Sequence, residues 1–348
     1  MELEGKRVVV VGFARTGKEV ATFLSDRGAQ VIVTDVKKRE ELDFNPSHLE
    51  AMGIRFALGG HPPEAFSGAQ LVVVSPGVPL SHPLIGWVRE QGAEVISEIE
   101  LAYRFLHAPI IGITGTNGKS TTTTLIGEMF QRAGRKVFVG GNLGDPLIKA
   151  LKDEAIEYAI AEVSSFQLEG IKGFRPKVAI LLNLSPDHLD RYSSYQDYIS
   201  AKMRIFMNQR SDDTAIINGD EPDVLHYFPL GRSRVFYFGK MSGQVFIGPR
   251  GVVSYIATRR RVYPVNAPGL RGVHNLENAM AAVACAEVCG LEPDVISEVL
   301  TTFKGLPHRM EWVGEFDGVN YYNDSKGTNV GAVKKSLQSF DRGVILIA

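Results

Sequence analysis

The chain is short of cysteine: 348 residues contain two, Cys285 and Cys289. That excludes a disulfide framework, and their i, i+4 spacing in an alanine-rich helical pattern suits core packing better than a metal site. Long apolar runs are missing too. None approaches the ~20 residues of a membrane-spanning helix, so no membrane partner is expected. Charge of either sign is not in excess, with 38 Lys and Arg against 39 Asp and Glu and a net charge of −1. Without a basic block, nothing points to nucleic acid, and an anionic substrate must be held by local basic groups. Repeats and low-complexity segments are absent. The opening Met1-Glu-Leu-Glu-Gly-Lys6 does not read as a signal peptide, and scarce cysteine fits a reducing cytoplasm. What remains is a globular composition, 44% apolar and 22% charged, at a length that predicts two or three domains.

Residues 109–121 carry the most information. Pro109-Ile-Ile-Gly-Ile113 reads as a buried strand, and Gly112, Gly115 and Gly118 punctuate the turn after it. Lys119-Ser120 then opens a helical pattern through Ala133. Glycines let backbone N–H groups approach phosphate oxygens, and a helix start adds unpaired N–H groups and the positive end of its dipole. Lys119 is placed to reach terminal phosphates, and Ser120 or Thr121 to offer a hydroxyl to Mg²⁺. The spacing departs from the strict phosphate-loop pattern, which needs glycine where Ile113 stands.

The first ~97 residues alternate strand and helix: strands at Arg7–Val11, Val31–Val33, Leu71–Val74 and Val95–Ile96, with a helix over Lys18–Arg27. This pattern predicts a parallel sheet with helices on both faces. Gly12-Phe-Ala-Arg-Thr-Gly17 is G-x-A-x-x-G, a weakened dinucleotide fingerprint that disfavours an NAD-dependent oxidoreductase. Asp35 closes the second strand, where it could accept from ribose or base. Further strands are expected at Val137–Val139, Tyr158–Ala161, Val178–Leu182 and Ala215–Ile217. Val235–Phe238 with the alternating stretch Gln244–Val265 predicts a small antiparallel element. Helices follow at His274–Gly290 and Glu292–Phe303, then strands at Met310–Val313, Val319–Asn323 and Val344–Ala348. The bare apolar strand at Val344–Ala348 gives the impression of a chain cut inside a domain.

Chemistry-bearing residues cluster at strand ends. Glu162 closes an apolar strand and is a natural Mg²⁺ ligand, although a helix cap is an alternative. Asp187, His188, Asp190 and Arg191 share one loop after another apolar strand. Lys202, on an amphipathic helix, reads from its residues alone as a snorkelling surface lysine. Asn275 and Asn278 fall at i, i+3 on one helix face, suited to an adenine edge or to capping. Asn323–Asn329 mixes Asp324, Lys326 and Thr328 after a strand, as a solvated turn or a ligand loop.

Taken in order, Ser75-Pro-Gly-Val78, Gly115–Thr121, Gly140-Gly-Asn-Leu-Gly144, Glu162–Glu169, Asp187–Tyr192, His274-Asn-x-x-Asn278, Leu306-Pro-His-Arg309 and Asn323-Asp-Ser-Lys326 resemble the Mur ligases of peptidoglycan synthesis. Glu162–Glu169 and Leu306–Arg309 point to the D-glutamate-adding branch. The resemblance implies an α/β fold with a Rossmann-like N-terminal domain (1–97), a central P-loop ATPase-type parallel-sheet domain (98–305) and an incomplete C-terminal Rossmann-like domain (306–348). It implies an ATP-dependent, cytoplasmic, monomeric ligase joining D-glutamate to UDP-N-acetylmuramoyl-L-alanine through an acyl phosphate. Gly115, Thr116, Asn117, Gly118, Lys119, Ser120 and Thr121 would cradle the ATP phosphates, with Arg309 and Lys326 on them as well. Asn275 and Asn278 would face adenine and Asp324 the ribose. Of two Mg²⁺ ions, Ser120 and Glu162 would hold one, and His188 with an N-carbamylated Lys202 the other. Lys119, His188 and Lys202 would be catalytic. Arg15, Thr16, Asp35, Gly77, Asn142 and Thr328 would bind the substrate. The family's third domain runs further and supplies D-glutamate contacts that this sequence does not contain. The alternatives are a folylpolyglutamate synthase type of ligase, or a ligation-incompetent nucleotide-binding fragment.

Overall fold

The structure, a computed structural model, describes residues 1–229, 231–239, 243–248, 251–256, 260–270, 272–327, 330–340 and 343–347. Five strands form the first sheet: β1 (Arg7–Val11), β2 (Gln30–Asp35), β3 (Arg55–Leu58), β4 (Leu71–Val74) and β5 (Glu94–Ser97). They are all parallel, in the order β3-β2-β1-β4-β5. Val8 and Val10 of β1 enter one apolar cluster and Val9 and Val11 another. The unbroken valine run is therefore a strand buried on both faces, as parallel sheets require. The first helix starts at Arg15, three residues before the expected Lys18, because the turn after β1 tightens at once. That tightness needs glycine, since a Cβ on Gly17 would lie 1.9 Å from Gly12 O.

The second sheet holds β6 (Ile110–Thr114), β7 (Val137–Gly141), β8 (Tyr158–Glu162), β9 (Val178–Leu181), β10 (Thr214–Asn218), β11 (Arg234–Phe238), β12 (Val245–Gly248), β13 (Gly251–Ser254) and β14 (Arg261–Tyr263). Its order is β14-β13-β12-β11-β10-β9-β6-β8-β7, parallel from β7 to β11. Only β12, β13 and β14 pair antiparallel. The expectation that Val235–Phe238 belongs to the antiparallel element is thus corrected. Its apolar run pairs along its whole length with β10, in parallel, where one more buried strand extends the main sheet. The helix Lys119–Arg132 packs against Val273–Val288, whose Cys285 lies buried in the alanine-rich contact.

Beyond residue 305, β15 (Glu311–Phe316) and β16 (Val319–Asn323) form an antiparallel hairpin, followed by the helix Val330–Leu337. The strand expected at Val344–Ala348 does not form over the described residues 343–347. They pair with no neighbour, and Ile345 and Ile347 lie open to solvent.

β5 runs directly into the helix Glu98–Tyr103, whose two glutamates at positions 98 and 100 are each 1% exposed. Glu98 Oε1 accepts the N–H of Ile148 at 2.6 Å. The Glu100 carboxylate accepts from the N–H groups of Lys172, Gly173 and Phe174, and from Arg104 Nε at 2.9 Å. Both acids therefore serve loops of the second sheet. Ile96 of the first sheet and Ile110 and Ala159 of the second fall in one apolar cluster.

Candidate active site

The phosphate loop sits at the carboxyl edge of the second sheet. β6 lies between β9 and β8, so the loop after it is flanked by Asn183 on one side and Glu162 on the other. Gly118 caps the following helix at φ +86°, in the left-handed region, and a Cβ there would come within 2.2 Å of Asn278 Oδ1. Asn183 clamps the loop as a strand would: its Oδ1 accepts from Asn117 N at 2.9 Å and its Nδ2 donates to Asn117 O at 3.0 Å. Thr116 N–H donates to Asn183 O at 3.0 Å, and the Thr116 and Tyr198 hydroxyls lie 3.0 Å apart.

Two lysines meet at this loop. Lys119 Nζ donates to Gly115 O at 2.9 Å and Thr116 O at 2.8 Å. Lys202 Nζ donates to the same Gly115 O at 2.8 Å and lies 4.6 Å from the centre of the Tyr198 ring. Lys202 is 2% exposed, which overturns the residue-level reading of a surface lysine. Burial lowers both amines from their ordinary values, Lys202 far more, and Lys119 depresses Lys202 further. The carboxylates of Glu162 and Asp187 oppose this shift at both.

Glu162 is 4% exposed; its Oε1 accepts from Asn142 Nδ2 at 2.9 Å, and its Oε2 is buried with no hydrogen-bond partner among the described residues. A buried carboxylate oxygen left over is costly unless a cation uses it. That donor fits a hard ion such as Mg²⁺, with the Ser120 hydroxyl on the neighbouring helix turn. His188 stands at φ +52°, strained for a non-glycine residue, with its ring centre 4.9 Å from that of Phe166. Among the described residues, no three His, Cys, Asp or Glu side chains group together to hold a metal.

A cleft opens beside the loop, lined by Asn117, Gly118 and Thr121. Its far walls are Asn275 and Asn278 from one helix, and Arg309, Asp324 and Lys326 from around the hairpin. The amides share a helix face as expected, Asn278 Nδ2 donating to Asn275 Oδ1 at 3.2 Å. Arg309 Nη2 reaches Ser120 Oγ at 3.3 Å. Asp324 is already engaged, accepting from Met310 N at 3.1 Å and Ser336 Oγ at 2.6 Å.

Arg15, Thr16, Asp35 and Gly77 gather elsewhere, at the carboxyl edge of the first sheet. Asp35 accepts from the N–H groups of Phe13 and Lys37, holding the Gly12–Gly17 turn. Arg15 Nη1 donates to Gly144 O at 2.7 Å. Asn142 joins the Glu162 side instead, and Thr328 lies outside the described residues. Asn183, Tyr198 and the Arg191 side chain were not singled out as ligands by sequence reasoning. The only signal for Asn183 was an amide closing a buried strand.

A phosphate loop at a parallel-sheet edge, with a buried acid on the next strand and basic groups across the cleft, defines a nucleotide-dependent phosphoryl-transfer protein. The Mur ligase middle domain matches residues 113–286, and the Mur ligase MurD-like N-terminal domain matches residues 6–97. The chain belongs to the Mur ligase family. It is 49% identical, over its full length and 78% of the relative, to the UDP-N-acetylmuramoylalanine–D-glutamate ligase of Geotalea daltonii. The ligase of that name from a Thermoanaerobacter species is 42% identical, again over the full chain and 78% of the relative. Among solved structures, a pseudomurein peptide ligase type C from Methanothermus fervidus aligns with 97% of this chain and 78% of its own, with a TM-score of 0.59 and 22% identity. The UDP-N-acetylmuramate–alanine ligase from Thermotoga maritima aligns over 96% of this chain and 77% of its own, with a TM-score of 0.58 and 21% identity. These two share the fold. No helix among the described residues is long and apolar enough to cross a membrane.

Proposed function

We propose that this chain is an ATP-dependent ligase joining D-glutamate to UDP-N-acetylmuramoyl-L-alanine in peptidoglycan precursor synthesis. The observation that carries the reading is full-length similarity, at 49% identity, to a ligase of that name. It favours this branch over a folylpolyglutamate synthase type.

An oxygen of the L-alanyl carboxylate attacks the γ-phosphorus of ATP, ADP leaves, and an acyl phosphate forms. The neutral D-glutamate amine then adds to the acyl carbon and gives up a proton, and phosphate leaves from the tetrahedral intermediate. Both steps bring negatively charged oxygens together, so preformed positive groups at the loop lower the barrier. Lys119, Arg309 and Lys326 supply them, with the loop N–H groups from Gly115 to Thr121. Asn275 and Asn278 hold the adenine edge and Asp324 the ribose. Arg15, Thr16, Asp35 and Gly77 hold the UDP-sugar substrate from the first sheet, with Asn142 serving it from the Glu162 side and Thr328 completing the set.

Glu162 and Ser120 would hold one Mg²⁺, and His188 with Lys202 a second; bound ions would supply positive charge against the phosphate oxygens. Burial favours the neutral Lys202 amine, which would add to the carbon of CO₂ with loss of a proton, and the carbamate oxygens would be ligands where an ammonium could not be. In this reading the chain works as a cytoplasmic monomer.

The test is phosphate release from Mg·ATP with UDP-N-acetylmuramoyl-L-alanine, measured with and without D-glutamate. Release that depends on D-glutamate supports the ligase. No release together with no calorimetric binding of the UDP substrate overturns it.

A further inference from the structure

Arg191 lies three residues past His188 in the loop after β9, with its side chain 14% exposed. Its guanidinium reaches across to the first sheet. Nη1 donates to Pro76 O at 2.8 Å and Nη2 to Val78 O at 3.2 Å, both in the loop at the carboxyl end of β4. The guanidinium carbon stands 3.9 Å from the centre of the Phe166 ring, and Glu169 Oε2 is 3.9 Å from Nη2. Phe166 follows Glu162 by four residues, and its ring also meets those of His188 and Tyr192, with centres 4.9 and 5.8 Å away. The Arg191 backbone N–H donates to His188 O at 3.0 Å, and Tyr192 N–H to the same oxygen at 3.1 Å. Tyr192 is held in turn, its hydroxyl donating to Glu169 Oε1 at 2.6 Å.

One side chain therefore ties three pieces: the Pro76–Val78 loop, the turn after Glu162, and the loop bearing His188. A guanidinium suits this better than an ammonium. Its planar fork donates to two carbonyls at once while stacking on an aromatic face.

We propose that Arg191 is a positioning residue that couples the UDP-sugar site at the first sheet to the phosphate site at the second. The inference rests on the function proposed above. Gly77 sits between the two carbonyls Arg191 grips, so a sugar nucleotide ordering that loop also orders Arg191, and with it His188. The same link aligns the L-alanyl carboxylate with the γ-phosphate, where about 1 Å of misplacement costs heavily. Coupling of this kind is reciprocal: each ligand tightens the other by one factor.

The experiment is calorimetric titration of UDP-N-acetylmuramoyl-L-alanine, with and without a non-hydrolysable ATP analogue and Mg²⁺, for wild type, Arg191→Ala and Arg191→Lys. Wild type should bind the UDP substrate about fivefold or more tighter with the nucleotide analogue present. Arg191→Ala should bring that factor below about twofold, with Arg191→Lys in between. A packing role alone would lower the melting temperature and both affinities while leaving their ratio unchanged. That ratio unchanged in Arg191→Ala, absent from wild type, or fully kept in Arg191→Lys overturns the proposal. Wild type that binds no UDP substrate at all overturns the function itself, and the coupling with it.

Discussion

Replacing Glu162 by glutamine separates its two roles in a way that can be measured. The substitution keeps the size of the side chain and lets Oε1 go on accepting from Asn142 Nδ2, now 2.9 Å away. It removes one unit of negative charge from a residue only 4% exposed, whose second oxygen has no hydrogen-bond partner among the described residues. A buried polar atom without a partner costs on the order of 1–3 kcal/mol and a charged one more, so removing the charge relieves the fold in part while the new amide donors stay unpaired. Lys119 and Lys202 lose part of their counter-charge at the same time. The two effects oppose each other, and the melting temperature of Glu162→Gln should move by less than about 4 °C. Activity has no such compensation. A positioned electrostatic contact contributes roughly 3 kcal/mol to lowering a barrier, so D-glutamate-dependent phosphate release should fall about 100-fold or more. The Mg²⁺ concentration for half-maximal rate should rise as well. Turnover within about threefold of wild type at an unchanged Mg²⁺ requirement would refute the ligand role of Glu162.

Two further substitutions probe the loop and the connecting helix. Gly118→Ala forces a side chain into φ +86° and sets its Cβ 2.2 Å from Asn278 Oδ1. About 1–3 kcal/mol of strain follows, and thermal protection by Mg·ATP should largely vanish; full protection would show that the loop relaxes freely. Burial pushes the Glu98 carboxyl up to about 7. A folded value above the unfolded one means that the stability contributed by the protonated acid is present at low pH and lost as pH rises toward about 7. Glu98→Gln stays uncharged, so its melting temperature relative to wild type should be more favourable at about pH 8 than at about pH 5. Equal differences at the two pH values would contradict the assignment.

Where function depends on local backbone, the sequence was readable. The phosphate loop needs glycine at positive φ followed by Lys119 at a helix start, and the helix begins at that residue. Asn275 and Asn278 share a face because helical geometry places i and i+3 together. Parallel strands buried on both faces show as apolar runs, which is why Arg7–Val11 and Leu71–Val74 fall at the expected bounds. Arg55–Leu58 was missed because this short edge strand is largely half-buried and lacks such a run. Lys202 was misread for a different reason. What holds the amine inside is the carbonyl of Gly115, 87 residues earlier in the chain, with the Tyr198 ring beside it. Asn183 and Arg191 likewise act on backbone 66 and 115 residues away, and no local period records such a partner.

The helix Glu98–Tyr103 determines how displacement passes between the two large sheets. A connection able to swivel would be solvated and would lend few hydrogen bonds to either side. This one is riveted: its glutamates satisfy backbone donors at Ile148, Lys172, Gly173 and Phe174. Dividing the chain at residues 97 and 98 thus follows a change of sheet, while the packing carries on without a seam. A central fragment begun after the helix would leave those four donors without acceptors, each at about 1–3 kcal/mol if kept from water. Carried intact, the same helix continues the chain from β5 while its acids bind the second sheet's backbone, so the two sheets share one stiff junction.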